Sequence, residues 1–287
     1  MNSIEPAAKQ SQPHESGISR RFSLATVQVV LSGILLPLLV SHVALAAEAE
    51  QPRKPNVLFI LADDLGWADI GYHDSGTSTP NIDRLAANGV KLEQHYVWPT
   101  CSPTRVALLT GREPSRFGVL TPLGDDGRIP ADTVTLATAL RSRGYTTHIS
   151  GKWHIGAPPS FRPLLFGFDT SYGYFRGQID PYTHRYKFGN RTWHRNDELL
   201  DEEGHATDLI ADEAIRVIRS SVGKPFFLYV PFSVPHFPLS EPDEWTTMYD
   251  DKIDDSWRKL NAASIVSAQE NHGGARGVTR SGVMDRR

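Results

Sequence analysis

Three polar clusters in this sequence each follow a short apolar segment. Asp63 and Asp64 follow NVLFIL, Lys152 and His154 follow YTTHIS, and His236 follows FFLYV. Short segments rich in branched and aromatic residues indicate strands buried on both faces of a parallel sheet. Ligands of open α/β sheets bind at the carboxyl ends of the strands, so we expect all five side chains to face one crevice.

The segment PTCSPTRVALLTGR contains the only cysteine of the chain, Cys101. A single cysteine cannot form an internal disulfide or a cluster of thiolate metal ligands. Ser102 and Pro103 indicate the start of a helix, which places Cys101 just before a helix N-terminus. Because the N–H groups of a helix N-terminus favour an anion, we expect Cys101 and the nearby Arg105 to join the crevice.

These residue types together predict an anion site with a cation beside it. Carboxylates without further cysteine ligands favour a hard cation such as Ca²⁺ or Mg²⁺. A cation, basic side chains and a nucleophile at a helix start suit the transfer of a phosphoryl or sulfuryl group. Each residue alone has a structural alternative, since paired aspartates often cap loops and lone histidines or cysteines are commonly structural. Their placement after three separate strands favours the functional interpretation.

The elements that must position these residues alternate between strands and helices, which predicts an α/β fold with a mainly parallel sheet flanked by helices. Residues 90–97 also alternate in polarity like a strand. Helices are expected from Pro80 to Gly89, from Ser102 to Gly111, from about Leu136 to Gly144, and from Thr207 to Gly223. Residues 158–203 are rich in Gly, Tyr and Arg and are predicted to be mostly irregular.

The composition fits a globular domain. Of 287 residues, 39% are apolar and 22% are charged, which excludes a disordered chain. The formal net charge of −3 gives no electrostatic basis for a nucleic-acid partner. One cysteine also excludes a scaffold stabilised by disulfides, so the fold must depend on an ordinary apolar core.

The N-terminal residues 1–46 have the pattern of a secretory signal peptide. Arg20 and Arg21 precede an apolar segment that is densest from Val29 to Val40, and Ala44-Leu45-Ala46 supplies a cleavage site. An uncleaved membrane anchor is the alternative, but the segment is short for a span and Pro37 interrupts it. We therefore expect export to a bacterial periplasm or the extracellular space, a linker at 47–55, and no stable membrane span in the mature protein.

The motif CSPTR, followed by VALLTGR, resembles the Cys-x-Pro-x-Arg signature of the formylglycine-dependent (type I) sulfatases. The blocks PNVLFILADDLGWADIGYHDSG, GYTTHISGKWHIG and FLYVPFSVPHFP resemble further blocks of that family in the same order. The resemblance is to the arylsulfatase B-like branch and covers about Pro55 to Ser267. It implies the alkaline-phosphatase-like α/β fold and a sulfuric ester hydrolase acting on aryl sulfates or sulfated carbohydrates.

The resemblance also implies roles for individual residues. A separate formylglycine-generating enzyme would oxidise Cys101 to Cα-formylglycine, whose aldehyde hydrate is the nucleophile. Asp63, Asp64 and the modified Cys101 would bind Ca²⁺, with Mg²⁺ the less favoured cation. Arg105 and Lys152 would stabilise the hydrate and the sulfate oxygens, His154 would be a proton partner, and His236 would contact the sulfate ester.

The chain departs from the family pattern after its third block. The later Asp-Asn pair of the calcium site, a lysine acting on the leaving group, and a smaller carboxy-terminal sheet domain are not identifiable. We therefore interpret 56–267 as the N-terminal part of a sulfatase catalytic domain, an incomplete fold, and 268–287 as a disordered or frame-shifted tail. With few oxygen ligands, we expect weak Ca²⁺ binding and slow or absent turnover. The alternatives are an inactive relic that binds sulfated glycans and a phosphonate or phosphodiester hydrolase of the same superfamily.

Overall fold

The computed structural model describes residues 53–253 and 255–270, and residues 54–270 belong to one compact unit. The predicted signal peptide, most of the predicted linker and residues 271–287 of the predicted tail lie outside the described residues. Within the described ranges, no helix has the length and apolar character needed to cross a bilayer.

A six-stranded sheet forms the centre of the unit. Its strands are β1 (Val57–Leu61), β2 (Thr146–Lys152), β3 (Thr170–Tyr174), β6 (Trp193–Arg195), β7 (Glu198–Leu199) and β8 (Phe226–Pro231). Their order in the sheet is β1-β8-β2-β3-β6-β7. Strands β1, β8, β2 and β3 run parallel, and β6 and β7 are antiparallel additions next to β3. A separate two-stranded hairpin consists of β4 (Arg185–Tyr186) and β5 (Asn190–Arg191).

Helices cover both faces of this sheet, which gives the predicted α/β architecture. They are α1 (Pro80–Asn88), α2 (Cys101–Thr110), α3 (Leu136–Ser142), α4 (Ala206–Ser220), α5 (Asp243–Thr246) and α6 (Ser256–Glu270). Pro80 in the first turn of α1 and Gly111 after α2, with a positive φ of 64°, fix the expected ends of these helices.

The alternation of side chains along β8 divides the core between the two faces. Phe227 and Tyr229 pack on one side with Val106 and Leu109 of α2. On the other side, Phe226, Leu228 and Val230 pack with the apolar stripe of α4, which consists of Ala206, Ile210, Ala214 and Val217. Burial on both faces explains why β8 is apolar at every position rather than at alternate ones.

Strand β1 does not meet the expectation of burial on both faces. It lies at the edge of the sheet, and Leu58 and Ile60 are 47% and 55% exposed. Its other face, with Val57 and Phe59, packs against the α2 side of the core. The apolar segment therefore predicted the strand correctly and its environment incorrectly.

Two predictions of secondary structure were wrong. Residues 90–97 form no strand, and Val90, Leu92 and Tyr96 are exposed, because alternation without a partner strand leaves the backbone groups unpaired. Residues 158–203 are more regular than predicted, since they contain strands β3 to β7. In addition, α6 continues to Glu270, past the predicted domain end at residue 267.

A buried histidine on β6 makes the stability of the fold depend on pH. His194 stacks on Phe175 with ring centroids 3.6 Å apart, and its Nε2 lies 2.6 Å from Ser171 Oγ. Burial lowers the pKa of His194 to about 3, so the folded protein keeps this ring neutral. In the unfolded chain the ring protonates near its ordinary pKa of about 6.5. This contribution to stability is therefore present above about pH 6.5 and is lost as the pH falls towards 3.

We predict that His194→Gln flattens the pH dependence of unfolding. Between pH 6.5 and 4, His194 contributes a slope of at most about 1.4 kcal/mol per pH unit to the free energy of unfolding. Urea denaturation across this range measures the slope for each variant. His95→Gln, at an exposed histidine, is the control and should keep the original slope. Equal slopes in the two variants would contradict the assignment.

Candidate active site

A buried cluster of charges lies where β1 and β2 end. Asp63 Oδ1 accepts a hydrogen bond from Arg105 Nη2 at 3.2 Å, and Asp63 Oδ2 accepts one from Lys152 Nζ at 2.5 Å. The three residues are only 4%, 1% and 0% exposed. One carboxylate therefore holds two cations in the interior, and three residues that the sequence placed in one crevice do meet.

The electrostatics of this cluster are dominated by burial and by mutual attraction. Burial would raise the pKa of Asp63, but Arg105 and Lys152 more than offset this, and the pKa lies below its ordinary value. Burial also lowers the pKa of Lys152, an effect that the Asp63 charge opposes. The carboxylate thus stays ionised, and its negative charge favours the charged form of both basic side chains.

Arg105 is anchored by more than its ion pair. Its Nη1 donates to the backbone oxygen of Lys152 at 2.9 Å and to Tyr229 Oη at 3.3 Å. These contacts join α2 to the end of β2 and to the middle of β8. The position of Lys152 itself depends on a longer β2 than predicted, because Lys152 is the last residue of the strand rather than a residue after it.

Cys101 lies at the first position of α2, not just before the helix as predicted. It is a half-buried free thiol, and Thr100 provides no side-chain cap for the helix N-terminus. A cavity of about 410 Å³ opens beside it, with Asp63, Asp64 and Arg105 among its lining residues. The thiol is near enough to Arg105 and Lys152 to influence the pKa of each. Cys101 therefore lines the same cavity as Asp63 and Arg105.

Ser102 and Leu123 fix the position of His154. Ser102 Oγ donates to the backbone oxygen of His154 at 2.9 Å and accepts from the Leu123 N–H at 2.9 Å. The Leu123 backbone oxygen lies 3.2 Å from His154 Nε2. A carbonyl oxygen can only accept, so this contact requires the proton on Nε2 and leaves Nδ1 as an acceptor.

The imidazole of His154 is held neutral. Burial, followed by the positive charges of Lys152 and Arg105, lowers its pKa to about 3. Its Nδ1 is buried and has no hydrogen-bond partner among the described residues. A buried acceptor without a partner is costly in a folded protein, and a bound molecule that donates a hydrogen would satisfy it.

Asp64 and His236 lie beside the charge cluster and differ in exposure, with side chains 56% and 14% exposed. Asp64 has a positive φ of 67° and is half exposed, and its Oδ2 lies 3.7 Å from His236 Nε2. His236 contributes to the lowered pKa of Asp63, which places it near the charge cluster. Lys152, His154 and His236 do not line the 410 Å³ cavity, so the prediction that all of these residues face one crevice was only partly right.

The described residues fit part of a Ca²⁺ site. Asp63 and Asp64 are the hard oxygen donors that Ca²⁺ prefers, but Ca²⁺ takes six to eight oxygens. Both oxygens of Asp63 already accept from Arg105 and Lys152. No group of three His, Cys, Asp or Glu side chains with metal-site geometry occurs within residues 53–253 and 255–270. The cation would therefore need oxygen ligands beyond these two carboxylates.

Some residues of the site could not be selected from the sequence. Ser102 lies inside the CSPTR motif, but its two bonds depend on loops that are distant in the chain. Gly177 contacts the His154 ring so closely that an added Cβ would lie 2.6 Å from ring atoms. Tyr229 is indistinguishable in sequence from the other apolar residues of β8. Only the motif around Ser102 gave a signal that could have identified it.

The family model for sulfatases matches residues 55–275, a segment that contains every residue of this site. This chain belongs to the sulfatase family. It is 35% identical over 268 residues to N-acetylgalactosamine-6-sulfatase of Rattus norvegicus, and the match covers 84% of this chain and 51% of that protein. It is 34% identical over 227 residues to arylsulfatase J of Mus musculus, covering 73% of this chain and 37% of that protein.

A solved structure supports the same assignment for this sulfatase-family chain. The crystal structure of Ps i-CgsB in complex with k-i-k-neocarrahexaose superposes with a TM-score of 0.70 and 32% sequence identity. The match covers 75% of this chain and 52% of that chain. The predicted alkaline-phosphatase-like fold and the predicted family are therefore confirmed. The chain spans about half the length of the rat relative and of this solved structure.

We predict that Asp63→Asn strongly destabilises this sulfatase chain. The substitution leaves Arg105 and Lys152 buried without their shared counter-charge, which should cost about 3–5 kcal/mol of unfolding free energy. Asp201→Asn is a matched control, because Asp201 pairs with Arg185 and Arg191 on the surface. Exposed pairs contribute about 1 kcal/mol or less. Urea unfolding compares the two, and similar small losses would contradict the buried role of Asp63.

Proposed function

We propose that this chain is a sulfuric ester hydrolase whose nucleophile derives from Cys101. The observation that carries the proposal is the pair of buried cations, Arg105 and Lys152, held by one carboxylate beside the half-buried thiol. A sulfate ester carries negative charge on its sulfuryl oxygens. As the S–O ester bond breaks, negative charge also develops on the departing oxygen. Fixed positive groups in a site of low water content stabilise it more strongly than they would in water.

Conversion of Cys101 to formylglycine is part of the proposal. Its support is the CSPTR motif, a half-buried thiol in the cavity, and the uncapped N-terminus of α2. When present, the hydrated aldehyde would supply one hydroxyl for attack on sulfur and a second for release of sulfate. The required partner is a separate formylglycine-generating enzyme.

The remaining roles in the proposed reaction belong to residues of this chain. Arg105 and Lys152 orient and neutralise the sulfuryl oxygens, while Asp63 keeps both cations in place. His154, with a pKa of about 3, stays neutral at physiological pH and offers Nδ1 as a hydrogen-bond acceptor for a hydroxyl group. His236, whose side chain is 14% exposed, lies beside Asp64 and would contact the sulfate ester.

Ca²⁺ is the cation we propose for Asp63 and Asp64, with further oxygen ligands needed to complete its coordination. Such a cation would add positive charge at the sulfuryl oxygens. Asp64 is suited to hold it because its carboxylate is half exposed. The backbone of Asp64 is in the left-handed conformation and turns the chain after β1. With two carboxylates alone, affinity for Ca²⁺ is expected to be low.

Sulfated carbohydrate is the substrate class we propose. The curated relatives include an N-acetylgalactosamine-6-sulfatase, and a related structure contains a neocarrahexaose. Both names refer to sugar substrates or ligands of those proteins. Export to the periplasm or the extracellular space, which the sequence of residues 1–46 predicts, would place the chain where such polysaccharides occur.

We predict that the chain, made together with a modifying enzyme, hydrolyses an aryl sulfate and that Cys101→Ala abolishes this turnover. The expected rate is low, because a loosely held cation misaligns the reacting groups, and about 1 Å of misplacement costs on the order of a hundredfold. Chelation with EDTA should lower the rate further, and added Ca²⁺ should restore it.

An aryl phosphodiester is the matched substrate for this assay. The control variant is Lys224→Ala, at an exposed lysine just before β8, at the opposite end of that strand from His236. Phosphodiester turnover faster than sulfate turnover would contradict the reaction class. Retention of the rate in Cys101→Ala would contradict the nucleophile. No sulfate turnover by chain with converted Cys101 would contradict the proposed activity.

A further inference from the structure

The loop 123–128 lies against the imidazole of His154, and one hydrogen bond joins the two. The Leu123 oxygen is 3.2 Å from His154 Nε2. At the turn of the loop, the Gly127 N–H donates to the Gly124 oxygen at 3.0 Å. Four residues of the loop line a small cavity that His154 also lines. The conformation of this loop therefore determines where the Leu123 oxygen stands relative to the ring.

Both ends of the loop are anchored to other parts of the fold. The Leu123 N–H donates to Ser102 Oγ at 2.9 Å. At the other end, Arg128 forms an antiparallel bridge with Gly156, and its guanidinium lies 5.2 Å from the centroid of the Phe161 ring. The turn between these two anchors needs a contact of its own to be held in place.

That contact is an ion pair between Asp125 and Arg176. Asp125 Oδ1 accepts a hydrogen bond from Arg176 Nη1. The Arg176 backbone N–H donates to Thr192 Oγ1 at 3.2 Å, and the guanidinium lies 5.0 Å from the centroid of the Tyr186 ring. The side chain of Arg176 is 23% exposed, whereas that of Asp125 is 54% exposed. Arg176 is therefore the fixed partner, and the ion pair holds the turn of the loop against it.

The ion pair joins two loops that enclose the imidazole. Gly177, the residue after Arg176, lies so close to the ring that an added Cβ would be 2.6 Å from His154 Cε1 and Nε2. Gly177 and Leu123 line the same cavity, which has a volume of only about 10 Å³. The Nε2 edge of the ring is thus in contact with the Gly177 backbone and with the Leu123 oxygen.

We propose that Asp125 and Arg176 are positioning residues for His154, because their ion pair keeps the Leu123 oxygen at Nε2. The inference rests on the proposed function, in which His154 offers Nδ1 to a hydroxyl group. An imidazole that takes up a proton at Nδ1 keeps its Nε2 proton and becomes a cation. A carbonyl oxygen at Nε2 fixes the orientation of the ring and stabilises this cation, so it makes Nδ1 a better acceptor.

The first test observes the ring proton of His154 and does not depend on turnover. Nitrogen-15 NMR detects the Nε2–H, and its exchange rate with water reports how often the contact with the Leu123 oxygen opens. We expect Asp125→Asn to accelerate this exchange about twofold to fivefold, the factor that corresponds to one partly exposed ion pair. Asp125→Glu keeps the carboxylate and should restore slow exchange.

His184 provides an internal reference in the same spectra. Its Nε2 lies 3.0 Å from the Gly204 oxygen, a contact of the same kind in another part of the fold, and its exchange should not change. Asp126→Asn is the matched control variant in the same loop. Asp126 is exposed, and its backbone oxygen rather than its carboxylate accepts the hydrogen bond from Arg128 Nη1.

A double-mutant cycle assigns the effect to the ion pair. Arg176→Gln should accelerate the exchange of the His154 proton as Asp125→Asn does. The double variant should be no faster than either single variant, since both substitutions remove the same interaction. Circular dichroism verifies that each variant is folded.

The second test measures aryl sulfate turnover by chain whose Cys101 has been converted. Asp125→Asn should lower kcat by about the same twofold to fivefold and leave KM unchanged, because a positioning residue does not touch the ester. A lower KM in Asp125→Asn would overturn the proposal, since it would mean that Arg176, released from Asp125, binds the substrate anion itself.

Two results of the exchange experiment would also overturn it: unchanged exchange of the His154 proton in Asp125→Asn, or an equal acceleration in Asp126→Asn. Failure of the proposed hydrolase activity is distinguishable. It would appear as absent aryl sulfate turnover by the unsubstituted chain, whereas the exchange rates still decide whether the ion pair positions His154.

Discussion

The bond network of one buried carboxylate is the constraint on which the site depends. Asp63 brings Arg105 of α2 and Lys152 of β2 to the end of β1. Two cations without this anion would repel each other in an interior where charge is poorly screened. Arg105 also donates hydrogen bonds to Tyr229 and to the Lys152 backbone, so this one side chain beside the cavity connects α2, β2 and β8. Stability and site geometry are therefore linked through Asp63.

The backbone contributes its own strain at this place. Asp64 and His154 both have positive φ, at 67° and 56°, a conformation that costs of order 1–3 kcal/mol for residues other than glycine. They lie three residues after the end of β1 and two residues after the end of β2, respectively. The ion cluster and the bonds of Ser102 offset this cost by holding the loops. The arrangement keeps a neutral imidazole and a half-exposed carboxylate near the buried cations.

Sequence reasoning predicted the parallel α/β fold, because apolar segments and strand-end polar residues are local signals. It also predicted that Asp63, Arg105 and Lys152 would lie close together, from their places after strands and at a helix start, and the structure brings these three into one charge cluster. It failed where tertiary pairing decides, as in residues 90–97, which lack a partner strand, and in β3 to β7, whose short strands carry little periodicity. The roles of Ser102 and Gly177 arise from contacts between distant loops, which no local pattern encodes.

The state of Cys101 tests the central claim most directly. Trypsin should release residues 92–105 from chain made beside a formylglycine-generating enzyme, and mass spectrometry distinguishes a thiol from an aldehyde in this peptide. The account predicts the aldehyde, and predicts that Pro103→Ala, which changes the CSPTR motif, retains more thiol. A thiol that persists in the unsubstituted chain, while a known sulfatase made in the same cells is converted, would contradict it.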